Sequence, residues 1–339
     1  MTYLSPDPEA GLPLAQRYDA ALVDLDGVVY VGSRAVEHAV DSLTRARRSG
    51  MRLAYVTNNA FGAPPALVGR LNQLGVPAAE RDIVTSAQAA ARLAADRCPP
   101  GAPVLVVGGE ALVAAVRARG LQPVGSADDR PVCVIQGFAP TVDWHDLAEA
   151  GYAVARGASW IVTNADRTAP TSRGTAPGNG ALADVVALAT GAAPTVAGKP
   201  STALLREGAA RTGARRPLMV GDRLDTDIQG AHRAGYDSLL VLTGVTTPAA
   251  LLAAPASCRP THLAADLRGL LTPGRQVAPR ADGYACGGWV AVVQEGELML
   301  SGRGDPTDAL WAACAAAWSS PVPPTTDKAL AAMASGVRS

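Results

Sequence analysis

Through its first 270 residues the chain alternates short, wholly apolar runs with stretches of helical periodicity. Ala20-Ala21-Leu22-Val23 stops at Asp24, and Met51 to Val56 stops at Thr57-Asn58-Asn59. Val104 to Val107, Val132 to Ile135, Trp160 to Thr163, Leu218 to Val220 and Ser238 to Leu242 are of the same kind. Ile83 to Thr85 is a shorter extended piece. Helices are predicted over 34–48, 64–74, from Ser86 onward, 110–119, 144–156, 180–190, 202–212 and 225–234. Their ends carry helix punctuation: Pro64-Pro65 opens one, Ser86, Asp143 and Ser201 can cap others, and Gly50, Gly75, Gly120 and Gly235 stop them. Residues 164–180, rich in Thr, Pro and Gly, read as loop. Strands separated by helices of ~10–15 residues predict a mostly parallel sheet with helices on both faces. Strands apolar at every position fit a sheet buried on both sides.

The pattern changes after residue 271. Residues 272–283 read as a linker. Trp289 to Val293 and Leu298 to Leu300 form a predicted hairpin through Gln294-Glu295-Gly296-Glu297. Asp305 can cap a helix over 306–318 that carries an apolar stripe of Leu310, Trp311, Cys314 and Trp318. Residues 320–339 read as a loose tail. This ββα piece, 284–319, is too small to enclose a core. Its stripe must pack on the main body of the chain or across a homodimer.

Composition narrows the class. Length 339 suggests two or three domains. Lys+Arg 30 balances Asp+Glu 30, which leaves no general electrostatic grip on nucleic acid or a membrane surface. Hydrophobic residues at 48% and a mean hydropathy of +0.12 describe a chain with ample core. No apolar run reaches the ~18–20 residues of a bilayer span. Asp7 and Glu9 stand where a leader would be basic and then apolar, so no secretory signal is expected. Five scattered cysteines without metal spacing point to reduced thiols and a cytoplasmic location. Only Lys199 and Lys328 are lysines among the 30 basic residues, so each raises the question of what arginine could not do there.

Four candidate elements stand at strand ends, where doubly wound sheets bind ligands. Asp24-Leu25-Asp26-Gly27 offers two carboxylates on one side of an extended segment. One suits a nucleophile and metal ligand, the other a general acid and base; solvated strand-end aspartates are the alternative. Thr57-Asn58-Asn59 supplies a hydroxyl and backbone N–H groups for a phosphate, or a helix-capping turn. Gly198-Lys199-Pro200 places a compact ammonium before a helix, or a solvated charge. Gly221-Asp222-Arg223-Leu224-Asp225-Thr226-Asp227 offers carboxylates for a hard divalent cation, or acids in a first helical turn. All four in this order make the bland alternatives jointly improbable.

In these motifs the chain resembles the haloacid dehalogenase superfamily phosphatases that carry a large α/β cap between their second and third motifs. Thr163-Asn164-Ala165-Asp166 and Pro177-Gly178-Asn179-Gly180-Ala181 match that cap. The resemblance covers residues 18–270. With its C-terminal acetyltransferase-like piece, the whole chain is similar to the actinobacterial glycerol-3-phosphate phosphatases. The resemblance implies a core of 1–80 and 191–271, a cap of 81–190 and a phosphomonoester substrate. It further implies that Asp24 is the nucleophile and forms an aspartyl-phosphate. Asp26 is the general acid and base, and Thr57, Asn58, Asn59 and Lys199 bind phosphate. Mg²⁺ is held by the Asp24 carboxylate, the Asp26 carbonyl and Asp222, and Asp227 supports the metal or Lys199. Asn164, Asp166 and Arg167 are cap candidates, with a solvated Arg167 the blander reading. Arg167-Thr168-Ala169-Pro170 lacks the aromatic and histidine of the vitamin-B6-type relatives, so no ring is present to stack on pyridoxal; that favours a small polar alcohol phosphate, with a sugar phosphate or phosphoglycolate as the alternative.

Other patterns lack their context. Val104-Leu-Val-Val-Gly-Gly-Glu is not a dinucleotide fingerprint. Arg280-Ala-Asp-Gly-Tyr-Ala has the spacing of an acyl-CoA pyrophosphate loop, but a strand follows it where a helix is needed. Neither an acyltransferase nor a non-catalytic phosphometabolite sensor is favoured. Every proposed catalytic residue precedes Gly274, so removal of the C-terminal piece is expected to spare the chemistry and lower stability.

Overall fold

A computed structural model describes residues 9–171 and 173–335. The larger sheet has six strands in the order His262–Ala264, Asp237–Val241, Pro217–Gly221, Ala20–Val23, Arg52–Thr57, Ile83–Thr85. The first four pair in parallel, as do the last two. A second parallel sheet runs Thr195–Val196, Ser159–Val162, Cys133–Gln136, Pro103–Val107, Gln122–Val124. Helices such as Ala39–Arg48, Ser86–Ala95, Trp144–Ala155 and Thr202–Thr212 connect these strands. The doubly wound α/β class expected from periodicity is therefore observed.

The chain separates into two compact units, one of residues up to Leu53 with Arg215 onward, the other of Ala54–Ala214. The division falls inside the strand Arg52–Thr57. Arg52 itself is tied to the first unit, its N–H donating to the Asp19 carbonyl at 3.1 Å. In the second unit Leu105, Val107, Val134, Trp160 and Val162 form a core closed by Ala150, Ala153, Ala183 and Val186 from two helices.

Several expected elements differ. The helix expected from Arg34 starts at Ala39, because Arg34–Ala35 pairs with Tyr30–Val31 as a hairpin and His38 sits at φ 64°, outside helical backbone. Thr85, rather than Ser86, caps the next helix: its hydroxyl accepts from the Gln88 N–H and the Gln88 side chain returns the bond. Ser201 stands at its helix start without a side-chain cap bond. The 164–180 loop contains the hairpin Thr168–Thr171 with Gly174–Pro177. Leu224–Ile228 is a π turn before the helix Gln229–Ala234.

The C-terminal piece is larger than a ββα unit. Its antiparallel sheet has four strands, Ala278–Pro279, Tyr284–Cys286, Trp289–Gln294 and Glu297–Gly302. The linker reading therefore fails at 278–279, and it fails at 272–273 as well. There the Thr272 carbonyl accepts the Leu14 N–H at 3.0 Å and Pro273 bridges Pro13. The hairpin turn holds Glu295 at φ 51° and Gly296 at φ 78°, the two positive values a type I′ turn requires. The tail is not loose as far as it is described: Asp327–Ser335 is a helix, and Lys328 pairs with Glu297 at 2.6 Å. Residues 336–339 of the expected tail lie outside the described residues.

The helix Pro306–Ser319 is capped by the Asp305 side chain, as expected. It is buried on almost every face rather than along one stripe, with Ala309, Leu310, Trp311, Ala312, Ala313, Cys314, Ala316 and Ala317 all buried. Its partners are Ile228, Leu240, Leu251, Leu252 and Leu263 of the same unit. The stripe is thus covered by the chain's own body and needs no homodimer to bury it.

Candidate active site

In the first unit the strand Ala20–Val23 delivers Asp24, whose N–H donates to the Val220 carbonyl at 2.9 Å. That bond continues the parallel pairing one residue past the strand and fixes Asp24 beside the end of Pro217–Gly221. The chain then turns: the Gly27 N–H donates to the Tyr30 carbonyl at 2.9 Å, leaving Asp26 exposed on the turn. Gly27 is required here for two reasons. Its φ is 81°, and a Cβ would lie 2.5 Å from Asp222 Oδ2. At Gly221 a Cβ would overlap Asp227, so that strand end also needs bare backbone.

Asp222 is held on several sides. Its Oδ2 accepts the Val245 N–H at 2.7 Å, and its carbonyl accepts the Thr246 hydroxyl at 2.6 Å. Asp227 Oδ2 accepts the Arg223 N–H at 3.1 Å. Asp24, Asp222 and Asp227 are 9%, 1% and 0% exposed, and each offers an oxygen within 4.8 Å of the others. Three carboxylates this close and this buried repel one another unless cations compensate. An all-oxygen donor set suits Mg²⁺ or Ca²⁺. Asp225, by contrast, faces outward, where the Arg223 guanidinium beside it lowers its pKa despite partial burial.

The second unit holds Thr57, Asn58, Asn59, Lys199, Asn164, Asp166 and Arg167. Thr57 Oγ1 accepts the Asn59 N–H at 3.1 Å, which leaves its own hydroxyl proton for an oxygen ligand. The Asn59 side chain accepts from the Phe61 and Gly62 N–H groups at 2.9 and 3.2 Å, closing a local turn. Asn58 reaches across 141 positions to the backbone of Lys199, which is itself 3% exposed. The surface-lysine reading of Lys199 is thereby excluded. Asn164, 6% exposed, donates to the Asn58 carbonyl at 2.8 Å, and Asp166 Oδ2 accepts from Asn58 Nδ2 at 3.2 Å. Arg167 goes elsewhere, into a largely exposed pair with Asp184 at 2.9 Å.

Sequence reasoning missed Val245 and Thr246, although Thr243-Gly-Val-Thr-Thr follows a strand and was legible as a polar strand end. It also missed Ser86, whose hydroxyl donates to the Asn58 carbonyl at 2.6 Å. Nothing local marks that contact.

The haloacid dehalogenase-like hydrolase profile matches residues 21–122, and an HAD-hydrolase-like profile matches 196–270. A GCN5-related N-acetyltransferase-like profile matches 286–335. The chain is 45% identical over 297 residues to the D-glycerol 3-phosphate phosphatase of Mycobacterium tuberculosis, covering 87% of this chain and 82% of that one. The acid sugar phosphatase of Staphylococcus saprophyticus is 36% identical over 68% of this chain and 89% of its own length. Among solved structures, the M. tuberculosis glycerol phosphate phosphatase in complex with magnesium superposes with a TM-score of 0.83 at 43% identity, covering 91% of this chain and 93% of that one. The p-nitrophenyl phosphatase of Archaeoglobus fulgidus gives 0.69 at 28% identity, over 75% of this chain and 98% of its own. Kinship this extensive, over a chain whose acids converge at strand ends as the sequence motifs require, has a plain consequence: the protein belongs to the haloacid dehalogenase-like hydrolases.

Proposed function

We propose that this chain is a Mg²⁺-dependent phosphomonoester hydrolase acting on glycerol 3-phosphate or a similarly small polar alcohol phosphate. The observation that carries the reading is the convergence of the Asp24, Asp222 and Asp227 carboxylates. The Asp24 carboxylate attacks phosphorus in line and forms an aspartyl-phosphate. Asp26, exposed on its turn, gives a proton to the departing alkoxide. It then takes one from the water that cleaves the aspartyl-phosphate, so phosphate leaves and Asp24 returns unchanged. The Thr57 hydroxyl, the backbone around Asn58 and Asn59, and the Lys199 ammonium take the transferring phosphoryl oxygens. The Asp24 and Asp222 carboxylates and the Asp26 carbonyl would hold Mg²⁺, supported by Asp227. When bound, the ion neutralises phosphoryl charge and keeps the attacking carboxylate ionised.

The substrate assignment is supported by 45% identity to a D-glycerol 3-phosphate phosphatase and by the ring-free stretch Arg167-Thr168-Ala169-Pro170. On this reading the five-stranded sheet is a cap inserted into the core, with the expected 81–190 bounds shifted so that Ile83–Thr85 stays with the core sheet and Thr195–Val196 joins the cap. A reducing cytoplasmic location is supported by five free cysteines, four of them buried, while no described helix is long and apolar enough to cross a membrane.

A panel of glycerol 3-phosphate, sugar phosphates, phosphoglycolate, pyridoxal phosphate and p-nitrophenyl phosphate, each with Mg²⁺ or EDTA, tests the proposal. Phosphate release should vanish in EDTA, and glycerol 3-phosphate should show the highest kcat/KM. Metal-independent release overturns the class, and a preference for pyridoxal or sugar phosphates overturns the substrate.

A further inference from the structure

The side chain of Asn58 is fully committed. Its Oδ1 accepts the Lys199 N–H at 2.8 Å, and its Nδ2 donates to the Lys199 carbonyl at 3.1 Å and to Asp166 Oδ2 at 3.2 Å. A primary amide has two donors and one oxygen, so both hydrogens and the oxygen are spoken for. The oxygen would in any case repel a phosphoryl group. What the amide matches is a peptide unit: it answers both backbone groups of one residue, as a neighbouring strand would. No carboxylate can do this, since it has nothing to donate.

The Asn58 backbone is held in turn. Its carbonyl accepts from Ser86 Oγ at 2.6 Å and from Asn164 Nδ2 at 2.8 Å. Asn164 Oδ1 accepts the Asp166 N–H at 3.1 Å, and the Asn164 carbonyl accepts from Asn179 Nδ2 at 2.8 Å. Ser86, Asn164 and Asn179 are 0%, 6% and 1% exposed. The approach is close: a Cβ on Gly198 would stand 2.7 Å from Asn58 Oδ1 and from the Thr163 carbonyl. Glycine before the lysine is thus part of the same device.

We propose that Asn58 is a positioning residue whose side chain clasps the Lys199 peptide and so aims the ammonium, with Ser86, Asn164 and Asp166 holding the clasp. The inference rests on the reading that Lys199 acts on the phosphoryl group. It differs in assigning the Asn58 side chain to the lysine instead of to phosphate. The turn 164–166 and the segment 198–199 then move as one hydrogen-bonded piece, and contacts made by Asp166 are felt at the lysine.

The test uses the full chain with Asn58→Ala, the isosteric Asn58→Asp, Lys199→Ala, the Asn58→Ala/Lys199→Ala double variant, and Ser86→Ala. Misaiming a catalytic group by about 1 Å can cost on the order of 100-fold, so Asn58→Ala and Asn58→Asp should each lose about that factor in kcat with KM changed less than ~3-fold. In the Lys199→Ala background Asn58→Ala should cost nothing more, because its effect passes through the lysine. Independently of activity, amide hydrogen exchange at Lys199 should speed up at least ~10-fold in Asn58→Ala while global melting stays cooperative. Ser86→Ala, which leaves the clasp one bond short, should shift both readouts in the same direction and less. Multiplicative losses in the double variant together with unchanged Lys199 exchange overturn the clasp. Wild-type turnover by Lys199→Ala overturns the phosphatase role of the lysine instead, and the exchange measurement then decides the clasp alone.

Discussion

On the proposed reading Asp24 is the nucleophile, and it belongs to a trio of closely spaced acids. Replacing it by asparagine keeps the size, and the backbone bond to Val220 remains. The amide cannot attack phosphorus, so turnover by Asp24→Asn should fall on the order of 10⁴-fold or more. A second effect should run the other way. Three carboxylate oxygens lie within 4.8 Å of one another, and the substitution removes one charge from that group. In EDTA, Asp24→Asn should therefore melt at a higher temperature than the wild type, a gap that Mg²⁺ narrows. Thermal melts with and without the ion check this; a lower melting point in EDTA would show that Asp24 is not repelled by its neighbours.

Between elements, side chains link the starts of the parallel strands. Tyr18 precedes Ala20–Val23, and its hydroxyl donates to Asp237 Oδ2 at 2.8 Å, at the start of Asp237–Val241. The same hydroxyl meets His262 Nε2 at 2.9 Å, at the start of His262–Ala264. With its one proton given to Asp237, Tyr18 accepts from an Nε2–H tautomer of neutral His262. Arg216, just before Pro217–Gly221, stacks 5.1 Å over the Tyr18 ring. Burial, with Arg17 and Arg216 nearby and Asp237 opposing them, pushes the His262 pKa down to about 4, well below the usual imidazole range. The unfolded chain therefore binds this proton first, and stability present above pH ~6.5 is lost as pH falls toward ~4, by at most about 3 kcal/mol. His262→Gln can still donate to Tyr18 and does not titrate, so urea unfolding should show a shallower loss across that window. Parallel slopes for variant and wild type would remove His262 as the source.

The C-terminal module and the main body of its unit share one core. Leu298, Leu310, Trp311 and Cys314 pack with Ile228, Leu240, Leu251 and Leu263, and Trp318 meets Trp311 edge-on at 5.7 Å while Arg259 lies 5.1 Å over its ring. Ile228 directly follows Asp227, so the floor of the acidic turn belongs to the same cluster. This changes the expectation for truncation. Trp311→Ala alone should cost about 3–5 kcal/mol, against a typical margin of about 5–15. Cutting after Gly274 removes every module member of the cluster and should give insoluble or unfolded chain. A soluble, monomeric truncation with wild-type turnover would show that the module is dispensable. The acyl-CoA-like Arg280-Ala-Asp-Gly-Tyr-Ala stretch forms the turn between the strands Ala278–Pro279 and Tyr284–Cys286 and runs into the second, so its N–H groups do not open a helix.

The alternating α/β order and the four motifs were legible in the chain alone, because a strand buried on both faces must be apolar throughout and the residue that leaves it is free to be polar. Asp24, Thr57, Asp222 and Lys199 could be picked out because each follows directly on an apolar run or breaks a compositional habit of the chain. The rest depended on contacts between segments distant in sequence. The strands Thr195–Val196, His262–Ala264 and Ala278–Pro279, and the hairpin at 168–177, are two to four residues long and take their hydrogen bonds from distant neighbours, so no local periodicity announces them. Ser86 looked like a cap because Thr85 and Ser86 both can be; its bond to Asn58 required two strand ends to meet. The stripe on Pro306–Ser319 showed that something must cover that helix, but not what. An apolar face specifies burial without direction, and the partner was set by where the strands His262–Ala264 and Asp237–Val241 came to rest.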